Sequence, residues 1–281
     1  MVRKCFELLN LGEYEKAIKV ALEVVKRYPD NFDAILCLGR AYLEMGELKQ
    51  ALKHLRKAEK LAIELDEHRD VSNLLGRAYL LTGKVEKALD YYTKQLSLSQ
   101  LMGDMEGMAE ALVALAEVYA GIEEQEKALE LLHMALSIMP EEKAGNIYNN
   151  IAIIYSDMKG FEKALEYLQK ALEISQKAKD HYGISMSLLN IGDTYRELKK
   201  YDLTEKSLLS GLDVAKNVKN KPLEALAHEC LGDLYLEMGN KKQSKNHLVK
   251  AYKLYKKIGL DEDARAVEEK IFSLGISIDV D

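Results

Sequence analysis

The stretch "CLGRAYLEMGELKQAL", Cys37 to Leu52, returns thirty-seven residues later as "LLGRAYLLTGKVEKAL", Leu74 to Leu89. Four further copies follow: "ALAEVYAGIEEQEKAL" from Ala114, "NIAIIYSDMKGFEKAL" from Asn150, "NIGDTYRELKKYDLTE" from Asn190 and "CLGDLYLEMGNKKQSK" from Cys230. A leading half-copy, "LLNLGEYEKAIKVAL", begins at Leu8. The phase is held by an apolar–small pair at Leu38-Gly39, Leu75-Gly76, Leu115-Ala116, Ile151-Ala152, Ile191-Gly192 and Leu231-Gly232. Three residues beyond the small one stands a tyrosine: Tyr42, Tyr79, Tyr119, Tyr155, Tyr195 and Tyr235. Nine beyond the tyrosine stands a small residue again: Ala51, Ala88, Ala128, Ala164, Thr204 and Ser244. Counted from Leu38, the steps between copies are 37, 40, 36, 40 and 40 residues.

Each copy reads as two amphipathic helices, because its apolar residues recur at three-and-four spacing. The small residues let the two helices approach closely, and the tyrosine and leucines fill the space around them. Turns are expected near Gly12, Gly46, Gly83, Gly160 and Gly239, since glycine accepts the left-handed conformation that ends a helix. A lone hairpin of this kind cannot cover its own apolar face, so it must stack on its neighbours. The fold class is therefore all-α.

Composition narrows the function. Of the 281 residues, 48% are apolar and 31% charged, which excludes a disordered polymer, and no apolar run reaches membrane-spanning length. The start, "MVRKCFELLNLGEYEKA", carries no signal-peptide pattern, so the cytoplasm is the expected location. The net charge of −6 argues against a nucleic-acid groove. Cys5, Cys37 and Cys230 are few and far apart, which argues against a disulfide framework and a structural zinc site. No glycine-rich phosphate loop and no H-E-x-x-H pair occurs, and the six histidines are scattered. No catalytic residue, cofactor or metal site is expected, and the chain is read as not an enzyme.

The repeated phrase, with Pro29 and Pro140 closing two copies, resembles the tetratricopeptide repeat family over about residues 1–257. Several copies exceed the family's usual length, and this longer form is similar to the repeats of kinesin light chains, Pins-type polarity proteins and bacterial peptide-sensing regulators. The aromatic residue often found early in the first helix is missing, and the chain has no Trp. The resemblance implies a right-handed superhelical solenoid of antiparallel helix hairpins. Its expected organisation is one solenoid over residues 1–275: a truncated repeat at 1–30, six full repeats at about 31–257 and a capping helix at about 261–274. Ala264, Val267, Ile271 and Leu274 share one face of that cap. Residues 276–281 are expected to form a tail.

The resemblance also implies that first helices line a concave surface where a peptide or helix of a partner lies. The groove positions then hold Arg40, Asn73 and Arg77 towards the front, Asn149 and Asn150 in the middle, and Asn190, Asp193, Arg196 and Asp233 towards the back. An asparagine side chain carries both a donor and an acceptor, so it pairs with any peptide's main chain. Asn150 and Asn190 hold matching places in adjacent copies. The arginines suit either a bidentate carboxylate or pairing with Asp33, Asp70 or Glu44. The lysines of chaperone-tail receptors are not reproduced, since Leu36, Asn73 and Val113 stand in their places. Cys37 and Cys230 read as small buried apolar residues. The function expected is a non-catalytic scaffold for a protein or peptide partner, with no nucleic acid and no membrane. The alternatives are a peptide-sensing regulatory domain and self-assembly through the N-terminal end.

Overall fold

The computed structural model describes residues 2–273, and among them every regular element is a helix. The chain divides into two compact units, meeting in sequence at Met139 and Pro140. The first unit holds four hairpins: α1 (Val2–Asn10) with α2 (Tyr14–Arg27), α3 (Phe32–Glu44) with α4 (Leu48–Leu61), α5 (Leu65–Leu81) with α6 (Val85–Met102), and α7 (Met105–Gly121) with α8 (Gln125–Ile138). The second opens on a short 3-10 turn, Glu141–Lys143. Three hairpins follow: α9 (Gly145–Asp157) with α10 (Phe161–Ala178), α11 (His181–Glu197) with α12 (Tyr201–Asn217), and α13 (Lys221–Glu237) with α14 (Lys241–Ile258). The unpaired helix α15 (Asp261–Ser273) packs on α14. Ala264, Val267 and Ile271 are its buried residues, and Leu274 lies outside the described residues.

The small position works as the sequence suggests. A Cβ on Gly39 would stand 2.5 Å from Leu55 Cδ2, on Gly192 2.7 Å from Leu208 Cδ2, and on Gly232 2.6 Å from Leu248 Cδ2. Each partner leucine is fully buried. The absence of one methyl thus brings the two helices of a hairpin into contact, and each leucine so buried contributes about 1.5–3 kcal/mol. In α5–α6 the ring of Tyr92 takes the leucine's place against Gly76.

In four copies the repeated tyrosine meets an aromatic ring twelve positions on, across the hairpin. Tyr42 stacks on His54, Tyr79 on Tyr91 and Tyr155 on Tyr167, with centroids 5.4–5.6 Å apart, and Tyr235 lies against His247 at 5.4 Å. A lysine adds a cation over the ring at Tyr119, where Lys127 Nζ is 4.1 Å from the centroid.

The turns need a correction. Gly12, Gly46, Gly83 and Gly239 are left-handed, but Gly160 has φ −86° and caps α10, and Lys159 beside it takes φ 59°. Glu123 and Lys199 take the same conformation in their own copies. The turn is set four residues beyond the tyrosine whatever stands there, because two packed helices fix both ends.

The cysteines need another. Cys5 in α1 and Cys37 in α3 form a disulfide with Cα atoms 6.5 Å apart, while Cys230 is free. The 32-residue separation suggested no pairing. Stacking brings α1 against α3, which places the two side chains together in the buried core of the first hairpins.

Candidate functional site

In the first unit, α3, α5 and α7 line an open cleft of about 550 Å³, with Phe6 of α1 as part of its apolar wall beside Leu36 and Leu74. Arg40, Asn73 and Arg77, three of the residues expected from the sequence, all face it. Arg77 is bidentate to Glu44, Nη1 to Oε1 at 2.7 Å and Nη2 to Oε2 at 3.1 Å, so it is committed within the protein. That hydrogen-bonded pairing, first among the causes, raises the Arg77 pKa. The Asn73 amide donates to Gln95 Oε1 at 3.2 Å. Arg40 makes no ion pair among the described residues.

One turn before Asn73 on the same face, Arg69 donates to Asp70 at 2.7 Å and to Asp104 at 2.6 Å. Burial opposes the Arg69 charge, but the two carboxylates outweigh it and raise its pKa. Asp104 also caps α7 by accepting the Gly107 N–H. The cleft lining carries three arginines against Glu44, Asp70, Asp104, Glu106 and Glu110, a formal −2. The cleft lining is therefore acidic on balance. Burial first, then Asp104, Asp70 and Glu106, hold the Glu110 carboxyl above the usual range against the pull of Arg69.

In the second unit the expected residues fall into two groups. Arg196 joins Asp193, at 2.6 Å, to Glu237 of the next first helix. Forty-one residues separate Arg196 from Glu237, and the same step links Glu229 to Lys270 of α15. Lys270 Nζ donates to Glu229 at 2.7 Å and to Asp233 at 2.9 Å, so α15 sets one cation between the two carboxylates at the acidic end of the row. Tyr255 donates to the other oxygen of Glu229 at 3.1 Å. Burial, with Asp193, Asp233 and Glu229 adding to it, pushes the Cys230 thiol up to about 12, which keeps it protonated and unreactive at neutral pH.

Asn150 and Asn190 are half-buried on α9 and α11, and the Asn190 amide lies 3.5 Å from Asn149 Oδ1. Asn149 itself is buried, and its amide is consumed by Gly145 and Ser187, so it presents nothing to a ligand. Sequence reasoning missed Arg69, Glu110 and Lys270. The first was legible, since Arg69, Asn73 and Arg77 follow at steps of four along one helix face. The role of Lys270 depends on where α15 packs. No described helix is long and apolar enough to cross a membrane.

A family model described as a tetratricopeptide repeat matches residues 30–100, 67–141, 143–217 and 184–257, and a second of the same description matches residues 5–31. The chain belongs to the tetratricopeptide repeat family, whose repeats generally mediate protein–protein interaction. Among curated proteins, the Protein CTR9 homolog of Arabidopsis thaliana is 38% identical over 53 residues, which is 19% of this chain and 5% of that protein. Among solved structures, the chain is similar to the anaphase-promoting complex hetero-tetramer Cut9-Hcn1, with TM-score 0.64 and 18% identity over 94% of this chain and 48% of that one. The apo form of RapI matches with TM-score 0.60 and 18% identity over 86% of this chain and 99% of that one. A signal-transduction ATPase with a tetratricopeptide repeat sensor, from Pyrococcus horikoshii, matches with TM-score 0.61 and 19% identity over 99% of this chain and 45% of that one. At these identities the likeness is of fold alone. The chain spans about half the length of the first of these structures.

Proposed function

We propose that this protein is a non-catalytic interaction module that holds a segment of a partner protein against the first helices of its hairpins. The observation that carries the reading is the first unit's cleft, where Arg40, Asn73 and Arg77 from two adjacent hairpins face one open space beside an apolar wall. Its size lies within the range of pockets that take specific ligands. In the second unit, Asn150 and Asn190 stand half-buried at matching places on α9 and α11, and Asp193, Arg196 and Asp233 set the charge of the same row. The experiment is affinity capture from the source cell with identification by mass spectrometry. It is repeated with Arg40→Ala plus Asn73→Ala, and separately with Asn150→Ala plus Asn190→Ala. Both double variants should lose the captured partner, and undiminished capture by both would remove the reading.

A sensor role uses the same surface, and the archaeal relative's repeats are described as a sensor. It requires a change of compactness on binding, visible by small-angle scattering, where a rigid scaffold shows none.

A further inference from the structure

One second helix of the second unit is unlike its counterparts. α14 carries seven lysines and no acidic residue. In the same unit α10 carries three lysines against three glutamates, and α12 two lysines against three carboxylates. Each of the three packs against the first helix of its own hairpin, so that packing does not call for lysine. The apolar face of α14 is already spent, since Leu248, Ala251 and Tyr255 are buried in a core shared with α13 and α15.

The lysines occupy the face left over. Lys241, Lys242, Lys245, Lys250, Lys253, Lys256 and Lys257 are all exposed. At 3.6 residues per turn, Lys242, Lys245, Lys253 and Lys257 fall within about 120° of arc, and the row runs about 24 Å from Lys241 to Lys257. Lys256 pairs with Asp261 at 2.7 Å, and the other six make no ion pair among the described residues. Lys241 and Lys245, and again Lys253 and Lys257, stand four apart, where like charges repel. The helix therefore carries a repulsion that its packing does not need and that an anion relieves. Lys216 of α12 and Lys250 both press on His228 and His247, so the positive field reaches the neighbouring second helix.

The surroundings decide the kind of anion. A broad polyanion such as a bilayer or a duplex would also meet α15, which packs on α14 with five acidic residues against two basic ones. Since the chain totals −6 and α14 contributes +7, the remainder carries −13. That charge repels an extended anionic plane within a Debye length, about 8 Å, whereas a narrow segment lying along α14 escapes it. A lysine ammonium is a compact point charge without the fork of arginine, so it takes carboxylates singly and in no fixed geometry.

We propose that the exposed face of α14 docks a segment of a partner protein rich in Asp and Glu. This surface is separate from the first-helix cleft and does not depend on what the cleft binds. Its binding follows the number of carboxylates rather than their order, and it weakens with salt.

The test uses the whole protein and a rhodamine-labelled twelve-residue peptide with blocked ends, in which six glutamates alternate with serine. A second peptide has glutamine at the six places. Fluorescence anisotropy should show the glutamate peptide binding and the glutamine peptide not, with affinity falling about tenfold between 25 and 250 mM salt. Lys242→Gln with Lys245→Gln, Lys253→Gln and Lys257→Gln should weaken binding about tenfold, and the same four positions changed to Arg should keep it. The glutamine set relieves repulsion, so it should melt no lower than the wild type. Lys163→Gln with Lys170→Gln, Lys177→Gln and Lys179→Gln, exposed sites on α10 and at its end, change the net charge equally and should leave binding unaltered. No binding of the glutamate peptide at millimolar concentration, or equal weakening by the two glutamine sets, overturns the inference. So does tighter binding of a seven-nucleotide DNA strand with the same six charges, or capture of the protein by phosphatidylserine vesicles that the α14 set abolishes. The cleft reading, tested through Arg40 and Asn73, stands or falls separately.

Discussion

Asn149 and Ser187 hold each other across 38 residues of sequence, the amide nitrogen donating to the hydroxyl at 3.1 Å with both side chains buried. The bond ties α9 to α11, and it makes Asn149 a structural residue. Asn149→Ala should cost about 1–3 kcal/mol, because it leaves the Ser187 hydroxyl buried without this partner. Asn149→Leu combined with Ser187→Ala should recover most of the loss. Urea unfolding of the single and double variants checks this, and a cost below 0.5 kcal/mol for the single change contradicts it.

His228 and His247 face each other with Nδ1 atoms 3.0 Å apart, so one ring donates and the other accepts. Burial first, then His247, Lys216 and Lys250, lower the His228 pKa to about 4, against the pull of Glu224. Burial with Lys250 and Lys216 lowers His247 as well, against Glu205. Both groups therefore bind fewer protons folded than unfolded as the pH falls below 6.5, His228 down to about 4. Stability should be full above pH 6.5 and fall as the pH drops through that window. Thermal melts of the wild type and of His228→Phe with His247→Leu should diverge there, the variant having the flatter profile.

Gly39→Ala should destabilise by about 1–3 kcal/mol, since the added methyl meets a fully buried Leu55 at its branch point and close to its backbone nitrogen. Gly121, where nothing lies within 4 Å of an added Cβ, serves as the comparison, and its alanine variant should be neutral or slightly stabilising. Equal melting temperatures for the two variants would contradict the close approach seen in the hairpin.

The Cys5–Cys37 bond closes a loop of 32 residues around the opening hairpin. Chain entropy puts its contribution at about 4 kcal/mol relative to the reduced chain. Non-reducing peptide mapping should recover Cys5 and Cys37 in one cross-linked fragment, with Cys230 modified by thiol reagents only after unfolding. Cys5→Ser should loosen α1, read as faster amide exchange over Val2–Asn10 while exchange in α9–α14 stays unchanged.

The fold was legible because its signal is repeated. One phrase of small residue, tyrosine and small residue, present six times in phase, fixes the helices, their pairing and the stacking direction at once. The left-handed turns were half legible. Within the hairpins glycine marks four of them, but at Glu123, Lys159 and Lys199 packing imposes a conformation that the local residue does not announce. The site was less legible, since it depends on which helices become neighbours. Arg40 and Arg77 look alike in sequence, yet a single stacking step gives Arg77 to Glu44, while Arg40 makes no ion pair among the described residues. Asn149 and Asn150 are adjacent, yet a rotation of 100° per residue buries one in the joint between helices and leaves the other half-buried. The disulfide was illegible for the same reason, as loop closure between α1 and α3 is a product of tertiary stacking.

The tyrosine that meets a ring twelve residues on makes four of the hairpins separately fastened clasps. Under mechanical tension, a chain built this way yields clasp by clasp. Each forty-residue copy would release about 140 Å of slack as it gives way, leaving its neighbours shut.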